Sequence, residues 1–322
     1  MPQKFCPTRQ VRLLLATLLA VAGLCPPAHA FVIDASFDSS ITSDPNAVTI
    51  ESTINEAIQI YQADFADPIT VNITFQEMST GLGMSNTCYT SVNYSDYLNA
   101  LSSHATTAND AIALAHLTAG PNNPVNGQAT MDITTALNKA LGLGISPNDP
   151  TNDSTISLNT SIMNLTRTGI DPTKYDLQTV VSHEIDEALG TSSGVGTSAI
   201  NPMDLFRYTQ AGARTFTTAG DDAYFSIDGT TQLARFNQDS SGDYGDWWSV
   251  NGTQTPEVQD AFGTPGATPS LGVELTALDV VGYDLVATVP EPDGTVLIMA
   301  GFAILAFGSR QVSQRRWPSR VG

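Results

Sequence analysis

The chain has 322 residues, and its 13 lysines and arginines are outnumbered by 32 aspartates and glutamates, which gives a net charge of −19. Such a surface repels phosphate groups, so the composition argues against binding to nucleic acid or to anionic membranes. Of the three cysteines, Cys6 and Cys25 lie close to the N-terminus. If that end is removed, Cys88 has no partner for an internal disulfide and the core must supply the stability.

Residues 1–30 have the three parts of a signal peptide. Basic residues come first, an uncharged apolar run follows over 13–24, and the small-x-small triplet 28–30 completes the pattern. This order is typical of a secretory signal. We expect signal peptidase to cleave after Ala30. The basic residues are Lys4, Arg9 and Arg12.

The first half of the remaining chain alternates helical and strand patterns. Apolar residues recur at helical spacing over 50–65, which predicts an amphipathic helix. Apolar and polar residues alternate over 69–75, which predicts a strand with one buried face. Further patterns predict short helices at 97–101, 108–117 and 133–141 and an edge strand at 154–165.

The segment 177–189 carries the clearest helical pattern, with apolar residues recurring on one face. Asp176 is placed to cap its N-terminus, and Gly190 is placed to end it. We therefore predict a helix with defined ends over this segment.

Helical spacing fades after Gly194, where turns separate short aromatic-rich segments, and one last helix is predicted at 274–281. The whole pattern predicts an α+β domain over 31–288. We expect a mixed sheet with helices in its N-terminal part and a loop-rich β C-terminal part, with a candidate subdomain break near 195–215.

The helix 177–189 also carries a candidate metal site. His183 and Glu187 are four residues apart, so they lie on one face, one turn from each other, where both can reach the same cation. Glu184 is rotated about 100° from His183 and can stand beside a metal-bound water as general base. This arrangement predicts a zinc-dependent hydrolase, with Zn²⁺ as cofactor.

The same segment resembles the active-site helix of the metzincin metalloproteases, whose pattern is His-Glu-x-x-His-x-x-Gly-x-x-His. His183, Glu184 and Gly190 match its first three landmarks. The segment 201–204, Asn-Pro-Met-Asp, resembles the methionine turn of that family, with Met203 as its methionine. The resemblance implies a zincin-like fold and cleavage of a protein or peptide substrate.

The remaining metal ligands depart from the metzincin pattern. Glu187 holds the position of the second histidine, and Ser193 holds that of the third. One imidazole with carboxylates could hold zinc or a harder ion such as Mn²⁺ or Ca²⁺. We predict Asp204 as the third ligand, with Asp186 as the second choice. The other histidines are expected to be structural or exposed: His104 and His116.

The segment from Asp239 to Asp246 is a second candidate cation site, for Ca²⁺, because its carboxylates alternate with glycines. A plain turn is the alternative, since the spacing fits no EF-hand. Trp247 and Trp248 follow this loop and could stack on a sugar, unless they belong to the core.

Residues 289–322 form a candidate sorting tail. A proline-rich motif is followed by an uncharged apolar segment over 294–309, which as a helix would be about 24 Å long, at the short limit for crossing a bilayer. Arginines come last, as expected on the cytoplasmic side of a membrane. The motif is Val289, Pro290, Glu291 and Pro292, and the arginines are Arg310, Arg315, Arg316 and Arg320.

This order resembles the PEP-CTERM sorting signal, which implies an exosortase as processing partner. It also implies a final location at the cell surface, the outer membrane or the extracellular polysaccharide matrix. Contact with the membrane would then occur only through the tail before its removal.

The sequence as a whole predicts an exported, zinc-dependent metallopeptidase of a bacterial surface. Two other functions remain open at this point. One is a non-catalytic matrix or adhesion protein on a degenerate protease-like scaffold, and the other is a calcium-stabilised carbohydrate-binding module centred on 239–248.

Overall fold

The computed structural model describes residues 31–219, 222–249 and 254–286. Up to Leu285 these residues form one compact unit. The signal peptide predicted over 1–30 and the sorting tail predicted over 289–322, with its segment 294–309, lie outside the described residues. Within them, no helix combines the length and the apolar character that a bilayer crossing requires.

A four-stranded mixed sheet organises the N-terminal part, in the order β1-β2-β6-β3. Strands β1, β2 and β6 are parallel, and β3 runs antiparallel to β6. The predicted strand at 69–75 is confirmed as β2, whose Val71, Ile73 and Phe75 are fully buried. The bounds are β1 Val32–Phe37, β2 Thr70–Glu77, β3 Gly83–Thr87 and β6 Ser154–Leu158.

The strand β6 corrects one prediction, because it lies inside the sheet and not at an edge. Its hydroxyl side chains suggested solvent on one face, but Ser154 and Ser157 are buried, and Ser154 Oγ is 2.9 Å from Thr87 Oγ1 of β3. Its hydrogen-bonded neighbour, β3, has too few apolar residues to be recognised as a strand from the sequence. β3 is therefore the edge strand on this side of the sheet, and β1 is the other edge.

Two helices, α1 (Ser39–Thr42) and α2 (Ala47–Asp64), follow β1. The predicted amphipathic helix is confirmed in α2, which buries Ile50, Ile54 and Tyr61 along one face. That face packs against α6 (Leu177–Leu189). The buried stripe of α2 therefore supports the helix that carries the candidate site.

Shorter elements complete the N-terminal part. The antiparallel strands β4 and β5 pair with each other, and helix α5 begins directly after β5, where Thr134 caps it through the amide of Leu137. The cap explains why α5 starts later than the predicted 133. The bounds are β4 Tyr89–Asn93, α3 Tyr94–Ser103, α4 Ala108–His116, β5 Thr130–Thr134 and α5 Thr135–Ala140.

The C-terminal part is loop-rich, as predicted, with a three-stranded antiparallel sheet and a last helix, α7. Ile200, Met203 and Leu205 belong to the same core as α6, so the core continues through 195–215, where the sequence suggested a subdomain break. The bounds are β7 Met163–Asn164, β8 Tyr175–Asp176, β9 Arg207–Thr209, β10 Ala223–Phe225, β11 Ala234–Arg235, α7 Val273–Val281 and the 3-10 helices Thr160–Ile162 and Pro202–Phe206.

Candidate metal centre

Helix α6 has the bounds that the sequence predicted, 177–189. The carboxylate of Asp176 accepts a hydrogen bond from the amide of Thr179 at 3.0 Å, which caps the first turn. Gly190 ends the helix with φ of 138°, a backbone conformation that favours glycine. Both ends are therefore fixed by local chemistry, and the side chains of the last two turns take defined positions.

A cleft of about 420 Å³ lies between α6, β3 and the loops of the C-terminal part. His183, Glu184 and Glu187 line it from the helix, and Gly83 lines it from the sheet edge. Asp246 lines it from the opposite loop. The two halves of the chain thus meet at one polar centre.

Three side chains of this cleft, His183, Glu187 and Asp246, could hold a metal ion, because one ligand atom of each lies within 4.8 Å of the others. Nε2 of His183 is 3.8 Å from Oε1 of Glu187 and 3.7 Å from Oδ1 of Asp246. One imidazole and two carboxylates are a donor set that suits zinc or manganese. The residues present therefore fit the predicted cofactor class.

The hydrogen bonds around the centre orient its ligands. Nδ1 of His183 donates to the carbonyl of Val258 at 3.0 Å, which leaves Nε2 directed into the cluster. Ser85 Oγ donates to Oε2 of Glu187 at 2.6 Å. These two hydrogen bonds hold the His183 ring and the Glu187 carboxylate in place. Metal-binding proteins usually orient their ligands by hydrogen bonds of this kind.

The amide of Gln259 closes the fourth side of the centre. Its Nε2 lies 3.0 Å from Oδ1 of Asp246 and 3.3 Å from Nε2 of His183. Its Oε1 is buried without a hydrogen-bond partner among the described residues. The Nε2 group of Gln259 thus lies where a cation would contact His183 and Asp246. A bound ion would require the Gln259 amide to rotate away.

The third member of the cluster is Asp246 and not Asp204, the predicted third ligand. Asp204 is fully buried elsewhere, where its carboxylate accepts hydrogen bonds from the amides of Gly194 and Asn201, each at 2.8 Å. Its role is to close the loop after α6. The second choice, Asp186, also lies outside the cluster, because its carboxylate accepts a hydrogen bond from the Tyr61 hydroxyl at 2.7 Å in the core.

Gly245 explains how Asp246 reaches the centre. A Cβ at residue 245 would lie 2.8 Å from the carbonyl oxygen of Thr191 and 2.9 Å from the amide nitrogen of Ser193. Only glycine allows the loop to approach the segment after α6 so closely. The sequence signal for this approach was the repeated Gly-Asp pair at 242–243 and 245–246, which was interpreted as a turn or a calcium loop.

Met203, predicted to form a methionine turn under the metal, is fully buried and lies in the 3-10 helix Pro202–Phe206. This helix packs on α7, β5 and β10, and Met203 does not line the cleft. Met203 is therefore a core residue in this structure.

Glu184, the predicted general base, lies in the cleft beside the cluster and is 5% exposed. Its carboxylate packs against Gly83 of β3, where a Cβ would lie 2.9 Å from Cδ of Glu184 and 2.7 Å from Cγ1 of Val180. Burial, with the neighbouring charge of Glu187, raises the pKa of Glu184 well above its usual range. Glu184 is thus held at the boundary between helix and sheet edge, with a strong affinity for a proton.

Burial and mutual repulsion dominate the electrostatics of the centre. Burial raises the pKa of Asp246 to about 8. Burial alone would lower the pKa of His183, but Asp246, Glu184 and Glu187 outweigh it and raise the pKa to about 10. Both raised pKa values reflect carboxylates that are buried close together with little positive charge. A divalent cation bound there would compensate their negative charge.

These shifts predict how the metal-free protein responds to pH. Burial also raises the pKa of Glu257 to about 7 and that of Asp260 to about 6, both beside the same cleft. Unfolded carboxyl groups lose their protons near pH 4, so the native state binds more protons than the unfolded state between pH 5 and 8. The raised pKa of His183 acts in the same direction, and the free energy of unfolding must fall as pH rises.

With chelator present, we therefore expect Tm at pH 8 to lie at least about 3 °C below Tm at pH 5, the shift that roughly 1 kcal/mol gives a domain of this size. Scanning calorimetry in EDTA at both pH values measures it. An unchanged or higher Tm at pH 8 would contradict the assigned proton affinities.

The loop from Asp239 to Asp246 does not gather its carboxylates around a calcium site in the described structure. Asp239 accepts hydrogen bonds from the amide and hydroxyl of Ser241, at 2.9 and 2.8 Å. The side-chain amide of Asn237 donates to the carbonyls of Asp239 and Asp243, at 2.9 and 3.0 Å. Asn237 thus closes the loop, and Asp246 contributes to the His183 centre.

Trp247 is a core residue, which overturns its proposed role in sugar stacking. It is 1% exposed, stacks on Phe225 with ring centroids 5.7 Å apart, and donates from Nε1 to Oε1 of Glu274 at 3.1 Å. The ring of Trp248 is covered by the guanidinium of Arg235, 4.5 Å from its centroid. Trp247 therefore offers no platform for a sugar, and one face of Trp248 is covered.

We expect Trp247→Ala to lower the free energy of unfolding by about 3–5 kcal/mol, because it leaves a large cavity and removes one of the hydrogen bonds to the buried Glu274 carboxylate. Trp248→Ala, at a half-buried position, is the matched control and should cost less. Urea unfolding of both variants measures the difference. Equal and small effects would mean that Trp247 is not part of the core.

Comparison with known proteins gives no match to a protein-family model, a curated protein or a solved structure. The resemblances to metzincins and to PEP-CTERM proteins therefore stay predictions from short motifs. The geometry of the cleft carries the functional argument.

Proposed function

We propose that the protein is a metal-dependent peptidase of a metzincin-like fold, in which His183, Glu187 and Asp246 hold a divalent cation. The convergence of these three ligands from two distant segments, beside an acidic residue in an open cleft, is the observation that carries the proposal. Zinc is the first candidate, with manganese second, because the set combines an imidazole with carboxylates.

The chemistry assigns a separate role to each side chain. A cation bound at the centre would polarise a peptide carbonyl and lower the pKa of a water molecule. Glu184 lines the same cleft without belonging to the cluster, so its carboxylate could accept a proton from a water molecule in the cleft and later donate it to the leaving amine. The hydrogen bond from His183 to Val258 keeps the imidazole in the tautomer that can bind the cation.

The charge of the cleft favours a basic substrate. Carboxylates line it on several sides, and no lysine or arginine is among the described lining residues. A peptide with lysine or arginine near the bond to be cut would neutralise these groups, whereas an acidic peptide would be repelled. We therefore infer that basic protein segments are the substrates.

The predicted signals at the two ends of the chain complete the proposal. A signal peptidase would remove 1–30, and an exosortase would process the tail 289–322. The peptidase would then act at the cell surface, the outer membrane or in the extracellular polysaccharide matrix. Its acidic character suits a soluble domain outside the cell.

Metal analysis of the purified protein tests the proposal. We expect the wild type to hold one equivalent of zinc or manganese more than His183→Ala, and to hydrolyse basic peptides that His183→Ala leaves intact. His116→Ala is the matched control, because His116 lies exposed at the end of α4. Equal metal content in wild type and His183→Ala would refute the centre, and bound metal without hydrolysis would favour the non-catalytic matrix protein.

A further inference from the structure

A second group of potential ligands lies at the C-terminal end of the compact unit. Asp67 comes from the loop after α2, His104 is the residue that ends α3, and Asp284 follows α7. One ligand atom of each lies within 4.8 Å of the others. We call these three residues the C-terminal triad; none of them lines the cleft of the His183 centre.

The triad combines a buried member with two accessible ones. Asp67 is 1% exposed, whereas the side chains of His104 and Asp284 are 28% and 26% exposed. Nδ1 of His104 is 3.6 Å from Oδ2 of Asp284. Ligands of a tetrahedral ion bound at about 2.1 Å are themselves roughly 3.4 Å apart, so this pair needs only a small adjustment to share a cation.

Two polar atoms of the triad have no hydrogen-bond partner among the described residues. Oδ2 of Asp67 accepts a hydrogen bond from the amide of Asp284 at 3.0 Å, but Oδ1 of Asp67 is buried and unpaired. Nδ1 of His104 is also buried without a hydrogen bond. A buried carboxylate oxygen without a partner is costly, and a bound cation is one of the few groups that can satisfy it.

The charge balance points to the same conclusion. Within the described residues, no lysine or arginine forms an ion pair with Asp67 or Asp284. Burial raises the pKa of Asp67 to about 7, because the ionised carboxylate is poorly compensated there. Asp284 raises the pKa of His104, so the imidazole can supply one positive charge, but two carboxylates still exceed it, and a bound cation could balance them.

We propose that the C-terminal triad is a second, structural binding site for a divalent transition metal such as zinc or manganese. The imidazole disfavours Ca²⁺, which takes oxygen ligands, and the two carboxylates suit Zn²⁺ and Mn²⁺. This site does not depend on the His183 centre, since the two groups share no residue.

The location gives the bound ion a mechanical role. The amide of Ala66 donates to the carbonyl of Asp284 at 2.8 Å, and Phe65 forms an isolated antiparallel bridge with Leu285. A cation held by the triad would add a crosslink between this last segment, the end of α2 and the end of α3. It would stabilise the native state because the unfolded chain cannot present the three ligands together.

The test counts bound metal in purified protein dialysed against Zn²⁺ or Mn²⁺. We expect two equivalents in the wild type and in Glu56→Gln, a control at an exposed carboxylate of α2. We expect one equivalent fewer in His104→Ala and in Asp67→Asn, and none in the His104→Ala/His183→Ala double variant. If the His183 centre binds nothing, the wild type would hold one equivalent, still lost in His104→Ala, so the two proposals fail separately.

A stability measurement covers the case in which Asp67→Asn does not fold. In His183→Ala, Zn²⁺ at about 100 times its Kd should raise Tm by roughly 5 °C, and the rise should vanish when His104→Ala is added. Unchanged metal content in His104→Ala, together with no rise of Tm in His183→Ala, would overturn the proposal. The triad would then be a proton-sharing pair of carboxyl groups beside a histidine.

Discussion

Replacing Glu184 by glutamine is expected to lower kcat by about 10²–10⁴-fold while metal content stays at the wild-type value. The amide has nearly the same shape as the carboxylate, so it can keep the packing against Gly83 and Val180. It cannot accept a proton from water, which is the role assigned to Glu184. Steady-state hydrolysis of a basic peptide and metal analysis of the same sample measure the two effects.

The control for this variant is Glu56→Gln, which removes one negative charge from an exposed position of α2. It should change neither hydrolysis nor metal content. Full activity in Glu184→Gln would remove Glu184 from the mechanism. Loss of metal in Glu184→Gln would instead indicate that Glu184 is a metal ligand, and the roles of ligand and general base on α6 would have to be reassigned.

Replacing Asp246 by asparagine is expected to weaken metal binding at the His183 centre by at least about 100-fold, since even partners of ligands commonly contribute 10–100-fold. Hydrolysis should fall in parallel. The amide removes a negative charge and one of only three protein ligands. Titration of the purified protein with zinc against a coloured chelator measures the affinity.

Asp204 and Asp239 provide the comparison. Asp204→Asn should keep the metal and lose about 1–3 kcal/mol of stability, because the amide cannot accept all the hydrogen bonds that close the loop after α6. Asp239→Asn, in the same loop as Asp246, should keep the metal as well. Metal lost in Asp204→Asn but retained in Asp246→Asn would reverse the assignment made from the structure.

Helix α6 was predictable from the sequence because its determinants are local. Asp176, the apolar spacing and Gly190 all lie within one short segment, and the structure reproduces the predicted bounds. His183, Glu184 and Glu187 were recognisable for the same reason, since a helix fixes the relative directions of residues one turn apart. The part of the site that lies on one element could thus be inferred without the fold.

Asp246, the third member of the cluster, was not predictable in this way. Asp246 reaches the cluster through a tertiary contact that depends on Gly245 and the segment after α6, and no local pattern encodes such a distance. Asp204 stands next to Met203 in a segment that resembles the methionine turn, which favours it in the sequence, but its neighbours in space are the backbone amides that it binds. The strand β3 was missed because its residues are small and polar, and its strand conformation comes from pairing with β6.

The contact between Gly83 and Glu184 couples two positions that are far apart in the chain, so a substitution at one is expected to constrain the residue at the other. A side chain at 83 would press on Glu184 and Val180, so if Glu184 is the general base, as proposed, we expect lineages that retain the chemistry to retain a glycine there. A lineage in which hydrolysis is no longer selected is free to change both. The residue at position 83 of related chains should therefore separate working enzymes from those that survive only as scaffolds.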